Sequence, residues 1–253
     1  MIVKEINNKI KIITNINKLT NTLSMISLSK MNKYTSLLIN LNIINVEFKK
    51  ILEYIFKNIK TNKFCLIVIT SNKGLCGNLN NEIIKYTLNY IKNNKNLDLI
   101  LIGKKGIDFF DKKNIFIKKK IIFKDNELFK NILFCDEIFN CFKKYENIFF
   151  ISSKIIKNNI KIVKTDLYIK KKYNYIIKHN FNYEIFLKNF YNYNLKYLYI
   201  NNLFCELKSR MLTMKSAADN SKKLIKDMKL IKNKIRQFKI TQEMLEIING
   251  SNL

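Results

Sequence analysis

The stretch SNKGLCGNLN, residues 71–80, has the residue types and the setting of a ligand-binding loop. It follows a strand-like run and precedes a helix-like one, where backbone N–H groups at a helix start can face a phosphate. Its order does not suit that use. A phosphate loop needs GxxxxGK[ST] or GxGxxG, whereas Lys73 here comes before both glycines. The stretch therefore reads as a tight strand-to-helix turn. Gly74 and Gly77 are expected to supply backbone angles closed to other residues, and Asn80 to cap the helix.

Other catalytic chemistry has little material. His179 is the only histidine, and no Ser or Cys is placed as a nucleophile beside it. No HExxH or CxxC occurs, so neither a metal site nor a cofactor is expected. The five cysteines (Cys65, Cys76, Cys135, Cys141, Cys205) read as reduced, buried thiols. Cys135 and Cys141 are too awkwardly spaced on a helix to meet as a redox pair.

A second cluster stands near the end of the chain: Arg236, Gln237, Thr241, Gln242 and Glu243, on about two helical turns. Of 47 Lys+Arg, only Arg210 and Arg236 are arginines. A guanidinium pairs bidentately in a way that an ammonium cannot copy, so arginine kept among so many lysines points to a specific contact, with a plain solvated helix face as the other reading. The net charge of +28 invites a nucleic-acid reading. Yet Asn, Ile and Lys are abundant in every segment, and Pro and Trp are absent, as strong AT bias in a coding sequence would produce. A basic coiled-coil nucleic-acid-binding protein stays the alternative; it requires affinity that falls steeply with salt.

These groups need elements to hold them. Residues 1–60 contain no Gly or Pro. Ile6, Ile10, Ile13, Ile16, Leu19, Leu23 and Ile26, then Leu41, Ile44, Phe48, Ile51 and Ile55, recur at steps of three and four and predict one helix face. A helix from about Lys4 to Asn58 would be roughly 80 Å long. At the other end, Leu207, Met211, Met214, Ala218, Ser221, Ile225 and Met228 form a heptad seam, continued less strictly by Ile235, Phe238 and Leu245. The economical solution pairs the two rods antiparallel. The middle reads as α/β, with strands at Phe64–Thr70, Leu97–Ile102, Ile115–Phe123 and Asn147–Ser152 and an edge strand at Lys161–Lys170. Helices are expected from about Asn80 to Lys92, at Lys105–Phe110 and at Asp125–Tyr145, and Ile185 leads into the last rod. This alternation predicts a mainly parallel sheet. The expected organisation is an N-terminal coiled-coil helix (1–60), a central Rossmann-like α/β domain (61–185) and a C-terminal coiled-coil helix (186–253). The start of the chain lacks the apolar core of a signal peptide, and no run reaches the roughly 18 apolar residues of a membrane span.

Four collinear blocks resemble the γ-subunit family of bacterial F-type ATP synthases: Lys4–Met31 with its closing Met25, Ser29, Lys30 and Met31; SNKGLCGNLN; DLILIGKKGIDFF; and the segment from Ser209 to Ser251 with its R-M-x-x-M-x-x-A-x-x-N and R-Q-x-x-I-T-x-E elements. The resemblance implies a non-catalytic central rotor stalk. Its paired terminal helices would stand inside a ring of α and β subunits, with its α/β foot next to the ε subunit and the membrane c-ring. Proton flow would turn the stalk and drive ATP synthesis at the β subunits. The complex would lie at the cytoplasmic side of the inner (plasma) membrane, with this chain peripheral. On the same basis Met25, Arg236, Gln237, Thr241 and Glu243 would face the α/β ring, and Glu206 and Arg210 would lie on the lower shaft. The chain is short for the family between about Thr165 and Asn189, and CELKS before Arg210 replaces residues that are usually small. No thiol-regulatory insert is present.

Overall fold

A computed structural model describes residues 2–55, 64–94, 97–123, 145, 147–166 and 183–250. Two helices dominate it: α1 (Ile2–Ile55) and α4 (Tyr183–Gly250), of 54 and 68 residues. Both run uninterrupted because no Pro, and no Gly before Gly250, breaks their ladders. Residues 56–58 of the expected first rod, the expected helix Asp125–Tyr145 apart from Tyr145 itself, and Cys135, Cys141 and His179 lie outside the described residues. The chain divides into two compact units: Met1–Leu28 with Arg210–Leu253, and Ser29–Ser209.

Unit Ser29–Ser209 is built on a five-stranded sheet in the order β3-β2-β1-β4-β5. The strands are β1 (Phe64–Ile69), β2 (Leu97–Ile102), β3 (Lys119–Ile121), β4 (Asn147–Ile156) and β5 (Asn159–Asp166). The first four are parallel, and β5 runs antiparallel to β4. β1 is apolar throughout because both of its faces are covered. Cys65, Ile67 and Ile69 share a core with Leu41 of α1 and Phe190, Leu195 and Leu198 of α4. Leu66 and Val68 face the other way, against α2 (Leu79–Asn93) and α3 (Lys104–Lys112) through Leu79, Ile83, Ile107 and Phe110.

Several boundaries differ from expectation for local reasons. The strand expected over Ile115–Phe123 shrinks to Lys119–Ile121. The Ile115 N–H is spent on the Phe110 carbonyl (3.1 Å), closing the end of α3, and Asn114 turns to φ 53°. β4 runs four residues past its expected end at Ser152, since Lys157 and Asn158 (φ 48° and 65°) form a two-residue hairpin turn that returns as β5. Gly103 is required where it stands. Its φ is +105°, and an added Cβ would sit 2.1 Å from the Thr70 carbonyl oxygen.

The turn after β1 is built differently from the sequence reading. Gly77 does take a left-handed angle (φ 58°), but its companion is Leu75 (φ 63°), not Gly74. The residue before α2 is Asn78, with no side-chain cap bond. Asn80 is therefore not the cap. It lies inside the first turn and reaches back, its oxygen accepting from the Ser71 N–H (3.1 Å) and its nitrogen donating to Ser71 Oγ (2.7 Å) and Cys76 Sγ (3.2 Å). Asn80 is thus a tie that closes the loop on itself.

Candidate subunit interface on the coiled coil

In the unit formed by Met1–Leu28 and Arg210–Leu253, α1 and α4 pair antiparallel. Ser24 Oγ donates to the Met211 carbonyl (3.3 Å), and seven residues earlier Asn17 Nδ2 reaches the Ala218 carbonyl (2.6 Å) and Ser221 Oγ (2.8 Å). The α4 side of the seam follows the predicted heptad. Met214, Ala218 and Ser221 are buried, and Met211, Ile225, Met228 and Ile235 are half-buried. Phe238 and Leu245, expected to extend it, are instead exposed.

The α1 side departs from the predicted stripe. Ile6, Ile10 and Ile13 are half-buried, but Ile16, Leu19, Leu23 and Ile26 are exposed, Leu19 at 62%. Asn17, Thr20, Ser24 and Ser27 turn inward instead. These residues repeat the same three-and-four spacing one position later, about 100° around the helix. The reason is polar. The Ala218 carbonyl and the Ser221 hydroxyl face Asn17, and the Met211 carbonyl faces Ser24, so the inward positions are met by acceptors that an amide or a hydroxyl can satisfy and a leucine cannot. Each inward polar group also finds an acceptor, across the seam for Asn17 and Ser24 and on its own helix for Thr20 and Ser27. The displaced apolar residues, with Ile12 beside them, line an outward face at heptad spacing.

The candidate contact residues fall on exposed surface. Met25 is 70% exposed beside that outward face. From Arg236 to Gly250 every residue of α4 is exposed. Thr241 Oγ1 donates to the Gln237 carbonyl (3.0 Å), and Lys239 pairs with Glu243 at 3.5 Å. An exposed pair of this kind contributes about 0–1 kcal/mol. Phe238, Met244, Leu245, Ile247 and Ile248 stand in solvent among these polar groups. Glu206 is buried and Arg210 half-buried on α4, and Gly74 and Gly77 lie in the turn after β1. The surface thus presents apolar side chains for burial and exposed polar side chains for weak, reversible hydrogen bonds. The inward Asn17–Ser24–Ser221 set had a signal in the sequence, a second three-and-four repeat made of small polar residues.

Comparison with known proteins agrees with this arrangement. A family model described as "ATP synthase" matches residues 2–252. The ATP synthase gamma chain of Buchnera aphidicola subsp. Melaphis rhois is 32% identical, over 98% of this chain and 97% of that protein. The gamma chain of Ruthia magnifica subsp. Calyptogena magnifica is 29% identical, over 98% of each. Among solved structures, a chain of the Euglena gracilis mitochondrial ATP synthase (OSCP/F1/c-ring, rotational state 3) superimposes with a TM-score of 0.71 at 14% identity, covering 99% of this chain and 93% of that one. A chain of the Tetrahymena thermophila mitochondrial ATP synthase central stalk and c-ring does so with a TM-score of 0.59 at 20% identity, over 79% and 99%. None of these relatives supports the nucleic-acid alternative.

Proposed function

The chain belongs to the ATP synthase γ-chain family, and from that premise we propose that it is the rotor stalk coupling proton flow to ATP synthesis. In this reading residues 1–60 and 186–253 supply the shaft helices and 61–185 the foot. The shaft turns inside a ring of α and β subunits, the foot carries the ε subunit and sits on the c-ring, and catalysis belongs to β. The chain is peripheral at the cytoplasmic face of the inner membrane. Among the described residues no helix is long and apolar enough to cross a bilayer.

The observation that carries the reading is the end of α4. A helix whose last stretch exposes Phe238, Met244, Leu245, Ile247 and Ile248 needs a surrounding sleeve. Burying each of these side chains contributes roughly 1.5–3 kcal/mol. Arg236, Gln237, Thr241 and Glu243, with Met25 on α1, are the groups we assign to the ring. Their bonds are individually weak, so they can break and re-form as the shaft turns. Each shaft angle then favours one β conformation over the others, which is a population shift imposed by differential contact.

The test is a complex reconstituted with the chain ended after Ile235. ATP-driven proton pumping and capture by tagged β subunit should both fall severalfold, while the foot keeps its ε subunit. Unchanged pumping and unchanged capture would remove the ring contact from this segment. Arg236→Glu with Gln237→Ala probes the polar contacts separately, and wild-type synthesis rates in that variant would overturn their assignment.

A further inference from the structure

A rotor helix must be fixed in azimuth to whatever drives it, and within unit Ser29–Ser209 three residues of α4 hold it so. β4 outruns β1: their pairing ends at Val68 opposite Ile151, yet β4 continues to Ile156. That overhang leaves the Ser153 N–H without a strand partner on the β1 side. Asn202 of α4 takes that place. Its Oδ1 accepts from the Ser153 N–H (3.1 Å) and from Ser153 Oγ (2.7 Å), and both residues are fully buried. Further along the same helix, Lys208 Nζ donates to the Asn158 carbonyl (2.8 Å) in the β4–β5 turn. Ser209 Oγ donates to the Cys76 carbonyl (2.6 Å) in the loop after β1.

These bonds reach three separate segments: a strand overhang, a hairpin turn and a strand-to-helix loop. The receiving backbones are stiff. The loop at Cys76 is tied by Asn80 and flanked by left-handed Leu75 and Gly77, and Asn158 is itself left-handed. Phe190, Leu195 and Leu198 also hold α4 to the sheet, but burial of apolar surface is non-directional and opposes separation more than it sets an angle. Hydrogen bonds carry an angular requirement. Turning α4 about its axis or sliding it along the sheet strains all three at once.

We propose that Asn202, Lys208 and Ser209 are positioning residues that transmit torque between the α/β foot and the shaft helix; the proposal rests on the rotor-stalk reading. α4 continues past Ser209 as one helix to Gly250. Without the anchor the helix acquires rotational slack, and part of each turn is lost before it reaches the ring.

The test uses the whole ATP synthase in vesicles, comparing protons pumped per ATP hydrolysed. Lys208→Ala with Ser209→Ala should leave hydrolysis near wild type and lower that ratio by about twofold or more, with Ser209→Thr, which keeps the hydroxyl, restoring it. Single-molecule records of the same complexes should show a wider angular spread of a bead on the foot. If the double variant does not assemble, Ser209→Ala alone is measured in the same way. A wild-type ratio and an unbroadened spread would overturn the anchor. A wild-type complex that hydrolyses ATP without pumping when this chain is present would instead overturn the rotor reading on which it rests.

Discussion

Removing the amide of Asn17 tests the inward polar seam directly. Asn17→Ala deletes two donations across the coiled coil, to the Ala218 carbonyl at 2.6 Å and to Ser221 Oγ at 2.8 Å. Neither partner is orphaned outright, because Ser221 Oγ still donates to the Ala218 carbonyl at 2.8 Å. The penalty for leaving a buried group unsatisfied therefore largely drops out, and the loss is that of two neutral hydrogen bonds, about 1 kcal/mol each. The bond from Asn21 to Asn17 Oδ1 is exposed and adds little. The expected destabilisation is about 1–2 kcal/mol, confined to the coiled-coil unit. In amide hydrogen exchange, protected amides of α1 around Asn17 should exchange about 5–30 times faster, while those of β1 and β2 stay unchanged. Combined with Ser221→Ala, the cycle should show a coupling of at least about 0.5 kcal/mol. No acceleration in the single variant, or strict additivity in the pair, would mean that α1 does not present Asn17 to α4.

Leu19→Ser should change the stability of the coiled-coil unit by less than about 0.5 kcal/mol, since Leu19 faces outward. A loss of about 2 kcal/mol or more in a denaturant titration would put it back in the core. Gly103→Ala should cost about 3 kcal/mol or more, read as loss of soluble chain or a lowered urea midpoint, because its methyl group meets the Thr70 carbonyl and its φ is left-handed. Burial pushes the Cys205 thiol up to about 11, from an ordinary value of 9.0. Its contribution to stability is whole below pH 9 and fades as pH rises through 11, because the unfolded chain gives up that proton first. Alkylation at pH 8 should therefore be negligible on Cys205 in the folded chain and prompt in urea.

The long helices and the central strands were legible because their signals are local. An absence of Gly and Pro sets the reach of α1 and α4, and β1 and β2 are unbroken apolar runs. What was not legible depends on partners distant in the sequence. The three-and-four spacing of Ile16, Leu19, Leu23 and Ile26 and that of Asn17, Thr20, Ser24 and Ser27 are equally good helix faces. Only the acceptors about 200 positions away, the Ala218 carbonyl and the Ser221 hydroxyl, distinguish the face that turns inward. Asn80 has the type and place of a cap, yet Ser71 and Cys76 draw its side chain back into the loop. The extension of β4 rests on a Lys157–Asn158 turn that lacks the glycine by which such turns are usually recognised. Of the candidate contact set, the type of Arg236 and the position of Thr241 stood out, whereas Asn202 and Ser209 resembled ordinary polar residues until the sheet was folded against them.

The outward row of Ile12, Ile16, Leu19 and Leu23 has a consequence for the cell as well as for the machine. A copy of this polypeptide released from the ribosome before its companions are made carries a ready adhesive strip. Two such orphans can clasp each other, or any passing amphipathic segment. Synthesis in step with the surrounding subunits, or prompt removal of surplus copies, is then a requirement written into the surface of the helix itself.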